Sequence, residues 1–424
     1  MKFSAFGEKF TAHSGITALM EDLGHALSSG SDMIMMGGGN PAHIPEVDEV
    51  LRSRMESILK SERDFQRLIG IYDPPQGEME FIRAICSLLN REYQWDLTSE
   101  NIALTNGSQA AFFMLFNLFA GDYADGSRKH IQLPLAPEYI GYSDAGLSPD
   151  FFHATRPSIE HLDRHTFKYH VDFQKLAVTE STGAICVSRP TNPTGNVITD
   201  EELSRLDNLA KNHDVPLIID GAYGTPFPKL IFTEAEPIWN ENIILCLSLS
   251  KFGLPAARTG IVVAKPAIIQ ALSSINAIMN LATGSFGGMM AMDLVKSGEI
   301  IRLSERVVRP FYLDKAKRAE QHFRQALDGL PYALHKVEGA MFFWLWLKDC
   351  PVTSQELYER LKSKGVLVVP GHHFFPGLDS EADRNWRHRH ECLRITYSQD
   401  DARVARGLSL IAREVREIYA NAGP

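Results

Sequence analysis

This chain of 424 residues, 44% hydrophobic and 22% charged, has the composition of an ordinary globular protein and the length for two or three domains. Its formal net charge of −9 at pH 7 argues against nucleic acid or an anionic membrane as the main partner. Five scattered cysteines form no C-x-x-C pair, and the most apolar run, residues 110–120, is too short to cross a bilayer. We therefore expect a cytoplasmic protein without membrane contact.

Residues 1–50 show little regular pattern, and we expect them to form an arm and one strand of a smaller domain. Beyond them, short apolar runs alternate with helix-length segments, which predicts a mostly parallel α/β sheet. The predicted strands are 102–104, 131–133, 184–187, 216–219, 243–247 and 260–264. Helices are predicted over 108–120 and 200–213, the second capped by Thr199 or Asp200.

The last third of the chain is predicted to form the smaller domain. Residues 298–328 have apolar positions at helical spacing, which predicts a long helix connecting two domains. Strands of an α+β unit are expected over 340–347, 366–369 and 392–397. We therefore place a large domain at 51–300 and a small C-terminal domain at 301–424.

The most informative segment is Ser248-Leu-Ser250-Lys251, which follows a predicted strand and precedes Arg258. A lysine amine can bind an aldehyde covalently, while hydroxyl groups and an arginine can bind a phosphate. The pattern suits a phosphorylated aldehyde cofactor. An ordinary strand end with a solvated lysine explains this fragment alone equally well.

Other predicted strands also end in residues with chemical potential, at the edge where open α/β sheets bind ligands. Gly107-Ser108-Gln109 runs into a helix start, whose free N–H groups favour phosphate. Tyr139 could stack on a planar ring, and two prolines constrain the loop around Asn192. Taken singly, a βα turn, a packed aromatic or a surface turn would explain each of them.

Asp220 follows the strand predicted at 216–219, and Tyr223 lies three residues further on. A carboxylate here could pair with a protonated pyridine nitrogen, and the tyrosine could donate to a phenolic oxygen. An isolated Asp after an apolar strand is more often a turn or helix cap.

Taken in chain order, these segments resemble those of the class I/II, fold-type I aminotransferases that use pyridoxal 5'-phosphate. Further segments match this family in the same order: Tyr72 to Gly77, Glu338 to Trp344, Pro370 to Phe374, and Arg394 to Tyr397. The resemblance implies a large domain with a mostly parallel seven-stranded sheet between helices, and a smaller α+β domain. It also implies a homodimer, in which Tyr72 of the partner subunit reaches the cofactor phosphate.

The resemblance implies specific roles for these residues. Lys251, Asp220 and Tyr223 would be catalytic, with Lys251 attached to the cofactor and acting as a general base. The cofactor-binding residues would be Gly107, Ser108, Gln109, Tyr139, Asn192, Asp220, Tyr223, Ser248, Ser250, Lys251 and Arg258, with Tyr72 from the partner subunit. We expect burial and the Arg258 cation to lower the pKa of Lys251.

Substrate binding would involve Arg394, which the resemblance assigns to the α-carboxylate, together with Gly39, Asn192, Tyr139 and Ile16. Longer segments, such as residues 188–203 and 370–378, resemble the branch of the family that exchanges amino groups between valine and pyruvate. We find no arginine dedicated to a second carboxylate, which favours an aliphatic substrate. The substrates expected are amino acids and 2-oxo acids, with L-valine and pyruvate giving 2-oxoisovalerate and L-alanine.

Several alternatives remain at the level of sequence. The donor could be alanine or an aromatic or kynurenine-type amino acid, and a C–S β-lyase or an α-oxoamine synthase would use the same fold. A regulator would need an added DNA-binding module, which is not visible before residue 37, and no G-x-G-x-x-G motif supports a nicotinamide enzyme. We expect the His-rich segment 379–390 to lie in solvent without a metal role.

Overall fold

The computed structural model describes residues 1–12, 15, 17, 21, 24 and 33–421. In those residues no helix combines the length and the apolar character that a membrane crossing requires. All five cysteines are buried and none forms a disulfide.

The strands in the described part of the chain are numbered in chain order. They are β1 Ile34–Met35, β2 Ile102–Thr105, β3 Gly121–Asp122, β4 Arg128–Leu133, β5 Phe152–Ala154, β6 Ser158–His161, β7 Thr166–His170, β8 Thr182–Ser188, β9 Leu217–Asp220, β10 Ile243–Ser248, β11 Gly260–Val263, β12 Tyr332–His335, β13 Phe342–Leu347, β14 Val366–Leu367, β15 Val369–Pro370 and β16 Cys392–Thr396.

The α-helices of the same residues are numbered likewise. They are α1 Ala5–Thr11, α2 Pro45–Lys60, α3 Glu62–Gly70, α4 Met79–Tyr93, α5 Ser108–Phe119, α6 Asp200–Asn212, α7 Pro266–Asn280, α8 Phe286–Ser297, α9 Glu299–Leu303, α10 Arg309–Ala326, α11 Ser354–Ser363, α12 Glu381–Arg384, α13 Arg387–His390 and α14 Asp401–Asn421.

The larger sheet has the strand order β2-β11-β10-β9-β8-β4-β3, with β5 paired beside β4. Pairing is parallel from β10 through β9 and β8 to β4 and β5, and β11 runs antiparallel to both of its neighbours. Every residue of β8, β9 and β10 is buried, which explains their uninterrupted apolar runs. The mostly parallel fold is confirmed. The sheet has eight strands where seven were expected, because the short β3 and β5 both pair with β4.

The smaller sheet has the order β15-β16-β13-β12-β7-β6. Its strands β6 and β7 come from residues 158–170, well inside the range that we assigned to the large domain. They join it through the parallel pairing of β7 with β12, about which the local sequence carries no information. The expected N-terminal strand is present as β1, which pairs in parallel with β14.

The long helix expected over 298–328 is divided into α9 and α10 by a π-helical turn at Ser304–Val308. Pro310 stands in the first turn of α10. Proline donates no backbone hydrogen bond and crowds the preceding turn, so a regular α-helix cannot pass through this position undisturbed.

The expectation that residues 379–390 lie in solvent is wrong for His388. Its ring is buried against Trp346 and Trp386, and its Nε2 lies 2.5 Å from the hydroxyl of Tyr169. Arg156 also forms an ion pair with Asp383, which ties the segment to the large domain. In the described residues there is no group of three or more side chains placed to hold a metal ion.

Candidate active site

The carboxyl ends of β8, β9 and β10 meet at one edge of the larger sheet and bring polar side chains together. Ser188 is aligned with Asp220 in the parallel register, and Ser248 closes the next strand. A cavity of about 580 Å³ opens at this edge. Residues of the N-terminal loop 37–40 and of the smaller sheet complete its wall, so the site lies between the two sheets.

Lys251 lies in a single 3₁₀ turn, Ser250–Phe252, directly after β10. Its Nζ donates to the carbonyl oxygen of Gly39 at 2.6 Å and lies 5.3 Å from the centre of the Tyr223 ring. Burial, followed by the cations of Arg394 and Arg258, lowers the pKa of Lys251 to about 8. The expected effect of Arg258 is present, but burial and Arg394 contribute more.

Asp220 ends β9 and is buried. Its Oδ2 accepts from the hydroxyl of Tyr142 at 2.7 Å, and its Oδ1 accepts from the N–H of Ala222 at 2.9 Å. Burial raises the pKa of Asp220, while these two hydrogen bonds and the Lys251 cation act in the opposite direction. The carboxylate is therefore held in a fixed orientation with room for one further partner in the cavity.

Arg258 and the start of α5 form a close-packed cradle. Gly107 caps α5 with φ +85°, and a Cβ built on it would lie only 2.3 Å from Nη2 of Arg258. A Cβ on Gly260 would approach the backbone nitrogen of Ser108 at 2.7 Å. Only glycine fits at these two positions, so the guanidinium lies directly beside the free N–H groups of the helix terminus. Such an arrangement favours a phosphate group.

Arg394 projects from β16 of the smaller sheet and is only 3% exposed. Its Nη1 donates to Oδ1 of Asn192 at 2.8 Å, and its Nη2 donates to the carbonyl oxygen of Gly37 at 2.6 Å. Its Nε is buried without a hydrogen-bond partner in the described residues. Burial lowers the pKa of Arg394 to about 10, so the guanidinium stays charged at neutral pH. Because Asn192 accepts from Arg394, its amide N–H₂ is left to donate into the cavity.

Three further side chains line the cavity. Tyr139 packs edge-on against Tyr142. Gln109 donates to the carbonyl oxygen of Gly141 at 2.9 Å, which fixes its side chain at the cavity wall. Tyr223 is buried, and burial raises the pKa of its hydroxyl, so the group is a hydrogen-bond donor at neutral pH.

The structure brings most of the sequence-predicted residues into this one cavity. Those that line it are Gly39, Ser108, Gln109, Tyr139, Asn192, Asp220, Tyr223, Ser248, Ser250, Lys251, Arg258 and Arg394. Gly107 lies just behind Arg258. Tyr72 lies outside the cavity and is 82% exposed, and Ile16 falls outside the described residues.

Sequence reasoning missed two groups of residues here. Gln399 and Arg403 also line the cavity, so a third arginine is present besides Arg258 and Arg394, although we found none in the sequence that would be dedicated to a second carboxylate. Arg403 follows Arg394 by nine residues, at the start of the next helix, and this spacing could have suggested it. Tyr142 and Glu138, on the buried side of Asp220, were also missed, since a Glu after a Pro has the pattern of an exposed turn.

Comparison with known proteins is consistent with this geometry. Residues 40–411 match the aminotransferase class I and II family. The chain belongs to this family. It is 51% identical over 420 residues to the valine–pyruvate aminotransferase of Escherichia coli K12, covering 99% of both proteins.

Solved structures of this aminotransferase family agree. A putative amino-acid aminotransferase from Psychrobacter arcticum superimposes with a TM-score of 0.96 at 47% identity, covering 99% of this chain and all of that one. The valine–pyruvate aminotransferase of Salmonella typhimurium has a TM-score of 0.87 at 48% identity, covering 96% and 100% of the two chains. The kynurenine aminotransferase of Pyrococcus horikoshii, at 22% identity and a TM-score of 0.75, shares the fold over 96% of this chain and 95% of its own.

The residues present fit pyridoxal 5'-phosphate. Lys251 offers a buried amine of lowered pKa for the aldehyde, and Asp220 offers a carboxylate for the ring nitrogen. The cradle of Gly107, Ser108 and Arg258, which no Cβ could share, has the charge and the N–H groups that a phosphate needs.

Proposed function

We propose that this aminotransferase moves the amino group of L-valine to pyruvate, giving 2-oxoisovalerate and L-alanine, with pyridoxal 5'-phosphate as its cofactor. The observation that carries the proposal is the convergence of Lys251, Asp220 and Arg394 in one cavity. Amino transfer needs these three chemistries together: an amine, a carboxylate for the ring nitrogen and a cation for the substrate carboxylate. The two half-reactions would follow each other in a ping-pong order.

Each end of the cofactor would be held by a different part of the cavity. Ser108, Gln109, Ser248, Ser250 and Arg258 would bind the phosphate, next to the N-terminus of α5. Asn192 and Tyr223 would donate to the phenolic oxygen, and Tyr139 would stack on the ring. Support for Asn192 comes from its hydrogen bond to Arg394, which directs the amide N–H₂ group into the cavity.

When bound, the cofactor supplies an electron-withdrawing ring that stabilises negative charge at the substrate Cα. Asp220 would hold the ring nitrogen in its protonated form. Lys251 would take the proton from the substrate Cα at its Nζ, and a pKa of about 8 suits a general base near neutral pH. The Gly39 carbonyl, 2.6 Å from Nζ, holds the amine within the cavity.

Arg394 would bind the α-carboxylate of both the amino acid and the 2-oxo acid. A guanidinium presents two parallel N–H groups to a carboxylate, and the ammonium of lysine cannot reproduce this geometry. The guanidinium carbon of Arg394 lies 4.5 Å from the ring centre of Phe342 and 5.1 Å from that of Phe374. These rings would shield the ion pair between Arg394 and the carboxylate from water. Gly39, on the loop that faces Lys251, would border the substrate.

The preference for a branched aliphatic side chain rests on the cavity wall beside that loop. Met35 and Ile140 line the cavity. The space in front of Gly38 is open, since no atom lies within 4 Å of the position that a Cβ on this residue would take. Arg403 lies at the exposed mouth, not in the buried part of the site. The proposal therefore assigns the side chain of the substrate to an apolar surface. The high identity to a valine–pyruvate aminotransferase supports the same choice.

We also propose that two copies of the chain associate, with Tyr72 of each reaching the other's phosphate cradle. Tyr72 and its neighbour Ile71 are exposed, and so are Leu281 and Phe286 in a second segment. The hydrogen bond from Ser285 to Asp73, at 2.5 Å, joins the two segments. The surface also borders the phosphate cradle, since the N–H of Gly284 donates to Asn106, the residue before Gly107. A cytoplasmic location, favoured by five unpaired cysteines, completes the proposal.

A panel of donors tests the substrate. Valine, alanine, aspartate and kynurenine are compared by kcat/KM with pyruvate as acceptor, and valine is expected to rank above aspartate and kynurenine. A clear preference for aspartate would overturn the proposal. A cysteine S-conjugate incubated without a 2-oxo acid separates the proposal from a C–S β-lyase, because a lyase would expel the thiol and release pyruvate and ammonia, whereas an aminotransferase would stop after one half-reaction.

A further inference from the structure

Glu138 is a buried acid that the proposed reaction does not use. It is fully inaccessible to solvent. In the described part of the chain it forms no ion pair with a lysine, arginine or histidine. A buried charge without a counter-ion is strongly unfavourable, so its hydrogen bonds must account for its state.

The backbone of Tyr139 provides one of these hydrogen bonds, and the others lead to Ser188, at the end of β8. Oε1 of Glu138 accepts from the backbone N–H of Ser188 at 2.8 Å, and Oε2 lies 2.5 Å from its Oγ. The same Oγ lies 3.5 Å from the hydroxyl of Tyr142, which in turn donates to Asp220 at 2.7 Å. Glu138, Ser188, Tyr142 and Asp220 therefore form one continuous buried chain.

The Ser188 hydroxyl can serve Glu138 as donor or as acceptor. The distance of 3.5 Å from its Oγ to the hydroxyl of Tyr142 is too long for a strong hydrogen bond, whereas the 2.5 Å contact with Oε2 of Glu138 needs one proton between the two oxygens. A carboxylate that is fully buried, with no cation paired to it among the described residues, is costly, so burial favours the arrangement in which Glu138 carries this proton.

The groups around the two acids favour the same distribution. Asp220 receives two hydrogen bonds and the nearby Lys251 cation, while Glu138 faces Asp220, Tyr142 and Cys186, none of which is a cation. We infer that Glu138 is a positioning residue that stays protonated and donates to Ser188, so that Asp220 is the single anion of the pair. Were both ionised, their repulsion would favour proton uptake by Asp220 and weaken it as the partner of a ring nitrogen.

This inference rests on the proposed role of Asp220, and infrared spectroscopy of the cofactor-loaded enzyme tests it apart from activity. A protonated buried carboxyl has its own C=O band. We expect the band at neutral pH and its loss as the pH rises, since burial, partly offset by the bonds from Ser188, raises the pKa of Glu138 to about 8. Glu138→Gln should remove the band and keep kcat/KM within about twofold, because a glutamine accepts and donates at the same two atoms.

Two further variants make the result decisive. Ser188→Ala removes the hydroxyl that accepts the hydrogen bond from Glu138, so the C=O band should persist at a shifted frequency. The control, Glu202→Gln, should leave the band unchanged because Glu202 pairs with His170. The inference is overturned if the wild type lacks the band at neutral pH, if Glu138→Gln retains it, or if Ser188→Ala leaves its frequency unchanged. Failure of valine as a donor would contradict the proposed function and leave the band unaffected.

Discussion

Replacing Arg394 by lysine separates carboxylate binding from cofactor binding. In the structure, Nη1 of Arg394 donates to Asn192 and Nη2 donates to the carbonyl oxygen of Gly37. The same guanidinium lines the cavity. A lysine has one nitrogen and must lose at least one charged hydrogen bond to a substrate carboxylate. Such bonds contribute roughly 1.5–3 kcal/mol, which corresponds to a fall in kcat/KM of about 10- to 100-fold.

The assay follows alanine formation from pyruvate at a series of valine concentrations, with cofactor content read from the absorbance of the purified enzyme. We expect KM to rise for both substrates while cofactor content stays unchanged. Arg389→Lys is the control, since Arg389 is a partly buried arginine of the smaller domain that also donates to backbone carbonyl oxygens. Unchanged KM in Arg394→Lys, or an equal effect in the control, would refute the assignment.

Three further outcomes are expected. Lys251→Ala should abolish borohydride trapping of the cofactor on the chain, and peptide mapping of the wild type should find the label at 251; a label elsewhere contradicts the role of this lysine. Arg403→Gln should raise KM for 2-oxo acids by roughly two- to tenfold and make kcat/KM less sensitive to salt, because an exposed cation at the mouth of the cavity attracts anions and this attraction is screened by salt. The control is Arg413→Gln on the same helix. If kcat/KM of Arg403→Gln depends on salt as that of the wild type does, Arg403 does not attract the substrate. Glu202→Gln should lower the free energy of unfolding by about 2 kcal/mol where the ion pair with His170 is intact, between about pH 4.3 and 6.5. Burial would raise the pKa of Glu202, but the hydrogen bonds from His170 and two backbone N–H groups lower it to about 2, while the pKa of His170 is raised by Glu202. The difference in urea denaturation should therefore shrink as pH falls from about 4.3 towards 2, and also as it rises beyond the pKa of His170, and a constant difference would contradict the pair.

The strand ends of the larger sheet were predictable because fully buried parallel strands leave long apolar runs. Lys251, Asp220 and Asn192 stand at or just after the ends of such runs, so the sequence alone predicts that they lie at the same edge of the sheet. Strands β6 and β7 could not be placed in this way, since β7 pairs with residues more than 160 positions later in the chain. Pairing over that distance depends on packing, and local periodicity records only the alternation of exposed and buried side chains.

The buried side of the site was harder to anticipate. Glu138 acts through Ser188, fifty residues later, and only the register of β8 and β9 brings Ser188 beside Asp220. His388 shows the same limit, because a run of charged and histidine residues gave no sign that one ring would pack between tryptophans. The break at Ser304–Val308, by contrast, had a visible cause in Pro310.

The hydrogen bond from Arg394 to Asn192 crosses from one sheet to the other. With the proposed roles, one hydrogen bond links the side chain that would bind the substrate carboxylate to the side chain that would donate to the cofactor's phenolic oxygen. A carboxylate bound by Arg394 would compete with Asn192 for the guanidinium, so occupancy of the substrate site and the orientation of the amide would be coupled. A variant designed to accept bulkier acids would therefore need to keep both side chains.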